Sequence, residues 1–261
     1  MVSLFLLIIG CSGGFNVETL IEELRIVATV VDPPEANPGE MVNVTLHIAD
    51  PSASSPQVAS WTCGGFSDTC LETDPNRADI ATQQGQAFTA QVLIPMEAEG
   101  LLQDFNEVVT SVWSLACEED VCPLITNIAN GTVTNQQLSE PATSLQELPM
   151  TGVSLARRSL WISNRTSDRR TNPTITPNFE VPINASPGES IPLTFTTSGT
   201  TDIGYGYATA GGFETTDEPI IDGQLSMTWI APDIQASATL WVVTESTDTG
   251  SAVWSSEILI Q

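Results

Sequence analysis

The chain has 261 residues, with seven basic residues against 32 acidic ones and a formal net charge of −25 at pH 7. All seven basic residues are arginines, and there is no lysine. Because such a surface repels phosphate groups, the composition argues against nucleic acid and anionic lipid headgroups as general partners. The length allows two medium-sized domains, each with its own core.

The N-terminal residues 1–10 predict a lipoprotein signal peptide. The apolar run from Leu4 to Ile9 is too short to cross a bilayer as a stop-transfer helix, and it ends at Gly10-Cys11. This arrangement resembles the lipobox of bacterial lipoproteins, in which a small residue precedes the cysteine that is acylated. Cys11 is therefore the expected lipidation site, and residues 11–19 are the expected tether.

The signal has one unusual feature, because Met1-Val2-Ser3 carries no basic residue whereas signal peptides usually begin basic. The alternative interpretation is a buried N-terminal strand with an ordinary core cysteine. Ser12 is not the Asp that commonly retains lipoproteins in the inner membrane, so the resemblance favours the outer membrane. The expected location is lipid-anchored, at the outer membrane or cell surface.

The other four cysteines are Cys63, Cys70, Cys117 and Cys122. In an exported protein an even number predicts disulfides, here with three possible pairings. We favour the local pairs Cys63–Cys70 and Cys117–Cys122. A zinc site is the rival interpretation, but the spacings C-x6-C and C-x4-C and the single histidine, His47, argue against it.

Two short motifs occur twice in the same order. Pro38-Gly39-Glu40 opens an alternating apolar–polar segment and returns as Pro187-Gly188-Glu189. Thr62–Phe66 is likewise echoed by Thr209–Phe213. The recurrence predicts a duplicated β-domain. The predicted fold class is all-β, with two tandem immunoglobulin-like antiparallel β-sandwiches, the first embellished with loops and short helices.

The predicted domains are residues 20–164 and residues 173–261, with a linker at 165–172. Period-two alternation and turn residues place the main strands. In the first domain these are Arg25–Val31, Met41–Asp50, Val58–Cys63, Ala87–Ile94, Glu107–Ala116 and Val153–Ile162. In the second they are Phe179–Ile183, Ser190–Thr197, Ile203–Thr209, Gln224–Ile230, Ala238–Thr244 and Ala252–Ile260. Short helical segments are expected at Val17–Leu24 and Ser139–Met150.

The aromatic residues have two interpretations. Trp61 is expected to be a core aromatic, and the structural interpretation places Trp229, Trp241 and Trp254 in the core and rim of the second domain. A row of exposed aromatics would instead form a platform for stacking sugars.

Arginine is concentrated near the domain boundary, where five of the seven basic residues fall between Arg157 and Arg170. These side chains are either an anion-binding or partner-docking patch, or partners of the protein's own carboxylates that hold the domains at a fixed angle. The surrounding negative charge favours the second interpretation.

No motif for catalysis is found. The chain lacks a Gly-x-Ser-x-Gly elbow, a phosphate-binding loop and a zinc ligand set, and the polar face of a strand is the expected place of His47. We therefore predict that the protein is not an enzyme, and glycoside hydrolysis by paired carboxylates ranks last among the hypotheses.

Loops are the expected sites of contact with partners, and the loop residues singled out are Asp68, Glu118, Glu119 and Asp120. Calcium prefers such oxygen ligands, but three consecutive acids do not easily reach one ion, so a solvated loop without cofactor is expected.

Several segments together resemble a family of uncharacterised surface lipoproteins of myxobacteria and related Gram-negative bacteria. They include Leu20–Ile26, Pro33-Pro34-Glu35, Ala116-Cys117, Leu148-Pro149-Met150, Ala208–Phe213, Thr228–Pro232 and Leu240–Val243. The resemblance implies an extracytoplasmic lipoprotein built of immunoglobulin-like domains, and it brings no catalytic residues.

The expected function is a membrane-anchored binding or adhesion module whose ligand is a protein or a glycan. The alternative is a structural subunit or docking factor of an envelope assembly.

Overall fold

A computed structural model describes residues 17–52, 55–63, 78–85, 87–118, 152–199, 201–246 and 250–261. A 3-10 turn, Val17–Thr19, precedes the first strand. The first half then contains β1 (Arg25–Asp32), β2 (Glu35–Ala36), β3 (Met41–Ala49), β4 (Gln57–Cys63), β5 (Ala78–Ile80), β6 (Thr82–Gln84), β7 (Ala87–Leu93), the helix α1 (Ala98–Leu101), β8 (Glu107–Cys117) and β9 (Val153–Ser163).

The second half contains nine more strands. They are β10 (Ile175–Pro177), β11 (Asn184–Ala185), β12 (Ser190–Thr197), β13 (Ile203–Ala208), β14 (Gly212–Phe213), β15 (Asp217–Pro219), β16 (Gln224–Ile230), β17 (Ala236–Ser246) and β18 (Gly250–Ile260).

The strands form four sheets, two in each half. The first half has the orders β1-β3-β7-β6 and β2-β9-β8-β4-β5, and the second has β10-β12-β16-β14 and β11-β18-β17-β13-β15. In both halves the short strand that follows the first one pairs in parallel with the last strand, while the neighbours of the central strands are antiparallel. This is the strand order of immunoglobulin-like sandwiches, so the predicted fold class is confirmed.

Alternation along the strands builds one core inside each sandwich. Along β3, the fully buried residues Val42, Val44 and Leu46 face the core and the residues between them face away. Across the first core they meet residues of β8 and β9 such as Val112 and Leu160. Each fully buried residue of this size contributes roughly 1.5–3 kcal/mol relative to an exposed position.

The repeated Pro-Gly-Glu motif forms the same turn twice. The amide of Glu40 donates to the Asn37 carbonyl at 3.1 Å, and the Glu40 carboxylate accepts from the Asn37 amide at 2.9 Å. The corresponding distances between Glu189 and Ser186 are 3.1 and 2.8 Å. The middle glycine has a φ of 77° in the first copy and 73° in the second, a conformation that favours glycine. The motif therefore recurs for a backbone reason.

The connection between the third and the fourth main strands differs between the halves. In the first half, β5 pairs with β4, and the next strand, β6, pairs with β7. In the second half, β14 pairs with β16 of the opposite sheet, and the next strand, β15, pairs with β13. The two halves thus share a strand order in space and differ in the path between the sheets.

Two predicted elements are wrong. No strand covers Phe179–Ile183; the short strands β10 and β11 lie on either side of it. Pro182 within this segment has no amide hydrogen to donate, which disfavours a ladder there. The helix predicted from Val17 to Leu24 ends at Thr19, after which Leu20 forms a bridge with Ala208.

Other predictions fall outside the described residues, namely the signal peptide, the Ser139–Met150 helix and most of the first copy of the Thr-x-Gly-Gly-Phe motif. The domain limits 20–164, 165–172 and 173–261 stay a prediction. Within the ranges that the structure describes, no helix is long and apolar enough to span a membrane.

Candidate functional site

The two halves meet through an apolar cluster on the outer face of the β13–β17–β18 sheet. From the second half come Tyr205, Tyr207, Trp241, Val243 and Val253, and from the first half Ile21, Val27, Ala28 and Ala49. Val243 and Trp241 are almost completely buried although they point away from the core of their own sandwich. This cluster, the junction cluster, therefore removes from water a sheet face that would otherwise be exposed.

The sequence Gly204-Tyr205-Gly206-Tyr207 explains how β13 serves two layers. A Cβ on Gly206 would lie 2.6 Å from the ring of Phe213, and one on Gly204 would clash with Leu225. The glycines thus let the core side chains approach the backbone, while the tyrosines that alternate with them face the first half. The guanidinium of Arg25 lies 4.7 Å from the centre of the Tyr207 ring.

The segment before β1 contacts the second half. The hydroxyl of Thr19 is buried and accepts a hydrogen bond from the Phe213 amide at 2.8 Å, and the Ile21 amide donates to the Ala208 carbonyl at 2.8 Å. The first described residues of the chain are therefore attached to strands that follow about two hundred positions later.

Polar contacts surround the junction cluster. Asn172 donates to the Val31 carbonyl at 2.8 Å and accepts from the Ser251 amide at 3.2 Å, so one side chain joins β1 to β18. The hydroxyl of Ser251 donates to the Thr29 carbonyl at 3.0 Å in a buried position.

Arg158 adds a charged link between the halves. It donates to the Ser246 carbonyl at 2.9 Å and forms an ion pair with Glu245 at 3.2 Å.

A buried carboxylate, Glu35, organises the segment between the halves. Its side chain is 0% exposed and lies 3.2 Å from Arg170 and 3.5 Å from Arg165. It also accepts hydrogen bonds from the Ser163 hydroxyl at 2.5 Å and the Arg170 amide at 2.9 Å. Burial by itself raises the pKa of Glu35, but these hydrogen bonds and the two arginines lower it below its usual 4.5.

Two further carboxylates bind the same arginines. Arg169 donates two hydrogen bonds of 2.9 and 3.0 Å to Glu40, and Arg170 donates two of 3.0 and 3.1 Å to Glu107. The hydrogen bonds from Arg169 lower the pKa of Glu40, and those from Arg170 lower the pKa of Glu107. Such bidentate arginine–carboxylate pairs are among the stronger ion pairs in proteins.

These contacts decide between the two interpretations of the arginine-rich stretch. Pairing with the protein's own carboxylates is confirmed for Arg158, Arg165, Arg169 and Arg170. Arg157 instead donates to the Ser111 hydroxyl at 2.8 Å and lies over the ring of Trp113. The predicted linker is thus held by ion pairs along its length.

Next to the junction cluster lies an open cleft of about 360 Å³ to which both halves contribute. The first half supplies Phe88 and the polar side chains of Asp50 and Gln83, and the second half supplies Trp241 and the hydroxyls of Thr209 and Thr239. The volume and the position between two sandwiches are those of small-molecule sites. Sequence patterns did not indicate this cleft, because its residues come from separate strands and adjoin only after folding.

Most of the predicted site residues lie outside the described ranges: Cys11, Asp68, Cys70, Glu119, Asp120 and Cys122. Cys63 ends β4, where its backbone lies opposite Ser111. Cys117 is buried at the end of β8 and takes part in a disulfide, and its predicted pairing with Cys122 stays a prediction. Glu118 accepts a hydrogen bond from Ser52 at 3.3 Å and its amide donates to Gly152.

His47 is half-buried rather than exposed on β3. Burial lowers its pKa below 6.5. The alternation of β3 lapses at His47 and Ile48, opposite the register shift between Ile26 and Ala28 of β1. The irregularity on β1 thus coincides with the break in alternation on its partner strand. Within the part of the chain that the structure describes, no group of three or more potential metal ligands occurs.

The tryptophans follow the structural interpretation, with one addition. Trp229 is fully buried in the core of the second sandwich, and Trp254 packs edge-on against Phe179 and Phe195 at its rim. Trp241 belongs to the junction cluster instead. Trp61 is buried, as predicted, but it alternates with the core residue Val58, so it lies on the outer face of its sheet.

No protein-family model matches the chain, and a comparison with curated proteins gives no match. Among solved structures, the D0-D1 domain of intimin matches 90% of this chain and 98% of its own length, with 10% identity and a TM-score of 0.26. The Ig1-Ig2 part of Dpr2, in a complex with DIP-Theta, covers 89% of this chain and 98% of its own length at 7% identity and a TM-score of 0.26.

Three N-terminal domains of Hoc, the highly immunogenic outer capsid protein of bacteriophage RB49, match with 12% identity and a TM-score of 0.22, over 89% of this chain and 59% of that one. Identities and TM-scores this low transfer nothing about function.

Proposed function

We propose that the protein is a non-enzymatic binding or adhesion module of the cell envelope, held outside the cytoplasm by a lipid on Cys11. The observation that carries the proposal is the fixed junction of the two sandwiches. The Arg158–Glu245 ion pair, hydrogen bonds from Arg158 and Ser251 to backbone carbonyls, and the junction cluster connect both halves. Recognition surfaces work best on such rigid frames, because little ordering entropy is lost on binding.

The lipid tether is supported by the Gly10-Cys11 motif and by the resemblance to surface lipoproteins. The acidic surface, with a net charge of −25, favours solubility of the part that extends from the membrane. Partners with positive or neutral surfaces fit this charge, whereas nucleic acids do not.

The first experiment is mass spectrometry of the mature N-terminal peptide after expression in a Gram-negative host, together with labelling of intact cells by an impermeant reagent. A diacylglyceryl-modified peptide beginning at Cys11 and labelling from outside are the expected results. Cys11→Ser is the matched variant, which should release the protein from membranes. An unmodified peptide beginning at Met1 contradicts the tether.

A second candidate function is a structural subunit of an envelope assembly. The observation in its favour is a group of exposed apolar side chains at one end of the second sandwich, where β11 and the start of β17 pair with the end of β18. There Ile234 is 69% exposed and Leu259 is 51% exposed, with Val181 close to β11. Exposed apolar groups of this kind mark contact surfaces.

The assembly candidate predicts a concentration-dependent increase in mass that Leu259→Glu abolishes. Light scattering over a dilution series measures this. A monomer at all concentrations, combined with binding to intact cells, favours the adhesion module.

A further inference from the structure

We infer that the cleft between the two sandwiches binds a neutral saccharide, one that contacts both halves at once. This inference rests on the proposed binding function and adds the place and the chemical class of the ligand. It is argued from the lining of the cleft, from its charge and from its position at the junction.

The floor of the cleft is apolar and aromatic. Phe88 is 8% exposed and Trp241 is 7% exposed, so packing holds both side chains and each contributes a small area to the lining of the cleft. The apolar C–H surfaces of a sugar ring pack well against rigid aromatic side chains. Since neither ring has to be ordered on binding, the contact costs little entropy.

The walls of the cleft are polar and neutral except for one carboxylate. The Thr209 hydroxyl accepts from the Thr239 amide at 2.9 Å, which leaves its proton to donate. Among the described residues no partner is found for the Thr239 hydroxyl. Gln83 adds a side-chain amide, and Asp50 is oriented by hydrogen bonds of 3.1 and 2.6 Å from Ser52. The lining thus offers both donors and acceptors, as hydroxyl groups of a sugar require.

Charge and polarity argue against anionic, divalent-metal and purely apolar ligands. No arginine lines the cleft among the described residues, and the chain as a whole is strongly acidic, so phosphates and carboxylates are repelled. A lone carboxylate gives a divalent cation too few oxygen ligands. A purely apolar ligand would bury the hydroxyls of Thr209 and Thr239 without hydrogen bonds, which is costly.

The position of the cleft links binding to the junction. Phe88, Gln83 and Asp50 belong to the first half, while Thr209, Thr239 and Trp241 belong to the second. A ligand that touches both sets binds only when the two halves are in contact. Binding therefore stabilises the junction by an amount that grows with the logarithm of the ligand concentration above its Kd.

The test is a glycan array of neutral and anionic saccharides probed with the full chain, followed by calorimetric titration of the best neutral hit in free form. We expect binding to neutral saccharides. Thr239→Val and Gln83→Ala should each weaken binding about tenfold by removing one hydrogen bond to the ligand. Gln84→Ala is the matched control, because Gln84 is the next residue on β6 and does not line the cleft.

Two results overturn the inference. One is the absence of binding to any neutral saccharide on the array, and the other is neutral-saccharide binding that Thr239→Val and Gln83→Ala leave unchanged. If the array is negative but the protein still binds intact cells, the saccharide inference fails and the proposed binding function stands. If cell binding is also absent, both fail.

Discussion

At the level of single residues, Glu35 is a carboxylate to which both Arg165 and Arg170 bind. It is fully buried, and its two arginine partners, its hydroxyl donor and a backbone amide satisfy it together. Replacing Glu35 leaves Arg165 and Arg170 paired with Glu107, but it removes the charge that accepts hydrogen bonds from the buried Ser163 hydroxyl and the Arg170 amide.

Glu35→Gln should therefore lower the free energy of unfolding by about 1.5–3 kcal/mol. Urea denaturation followed by tryptophan fluorescence measures this. Glu189→Gln is the control, because Glu189 repeats the turn of Glu40 but is exposed; its loss should be within about 0.5 kcal/mol. Equal losses for both variants would show that the ion pairs of Glu35 are unimportant.

The three carboxylates of the arginine network also predict a pH dependence. The pKa values of Glu35, Glu40 and Glu107 are lowered from 4.5 in the folded state, so between the folded and unfolded values the unfolded chain binds more protons. Their stabilising contribution is complete above pH 4.5 and is lost as the pH falls below it through the folded values.

The measurement is the urea midpoint between pH 7 and pH 3 for the protein and for the double variant Glu40→Gln/Glu107→Gln. We expect a shallower acid dependence in the variant, because two of the titrating groups are gone. Parallel curves would contradict a role of these carboxylates in acid stability. The burial of His47 acts in the same direction below pH 6.5, since its folded pKa is lowered as well.

At the level of elements, β13 is constrained on both of its faces. Its glycines face the core and its tyrosines face the other half. Gly206→Ala should lower the free energy of unfolding by about 1–3 kcal/mol, because the added methyl group would overpack against the fully buried Phe213.

Gly100→Ala is the matched control. Gly100 lies in α1, where an added Cβ meets nothing within 4 Å, so the change should be neutral or stabilising by up to about 1 kcal/mol. Thermal unfolding followed by circular dichroism measures both variants. A neutral Gly206→Ala would mean that Phe213 can move aside.

The long strands could be predicted from the sequence because one face of each is buried in a sandwich core, which imposes period two. Gln224–Ile230 matches its prediction residue for residue. The short edge strands β2, β5, β6, β14 and β15 could not be predicted, since two or three residues carry no period. Their positions depend on which long strand offers a free edge.

The candidate site was less predictable than the fold. Alternation shows that Tyr205 and Tyr207 share one face of β13 and that Trp241 and Val243 share one face of β17, but it cannot show what covers these faces. The covering residues, Val27 and Ala28, are more than two hundred positions away from Trp241. For the same reason the partners of the arginines could be predicted as carboxylates, but Glu35 could not be singled out.

At the level of the whole molecule, the junction should couple the unfolding of the two halves. Val243→Asp would place a charge in the junction cluster while leaving both sandwich cores unchanged. We expect one calorimetric transition for the protein and two for this variant, because a buried unpaired charge costs several kcal/mol.

Val181→Asp serves as the control, since Val181 is exposed and away from the junction cluster. It should keep the single transition. Two transitions in the unaltered protein would show that the junction does not couple the halves.

The attachment of Thr19 and Ile21 to the second half has a mechanical consequence. A pulling force applied to the chain before Val17 acts first on the hydrogen bonds to Phe213 and Ala208, and only afterwards on the first sandwich. We expect those hydrogen bonds and the contacts of the junction cluster to break before either sandwich core unfolds under force. In single-molecule pulling from the N-terminus, the earliest event should therefore be a short extension, well before a whole sandwich unravels. In a protein held to a surface at that end, these contacts could break under force and re-form while both sandwiches stay folded.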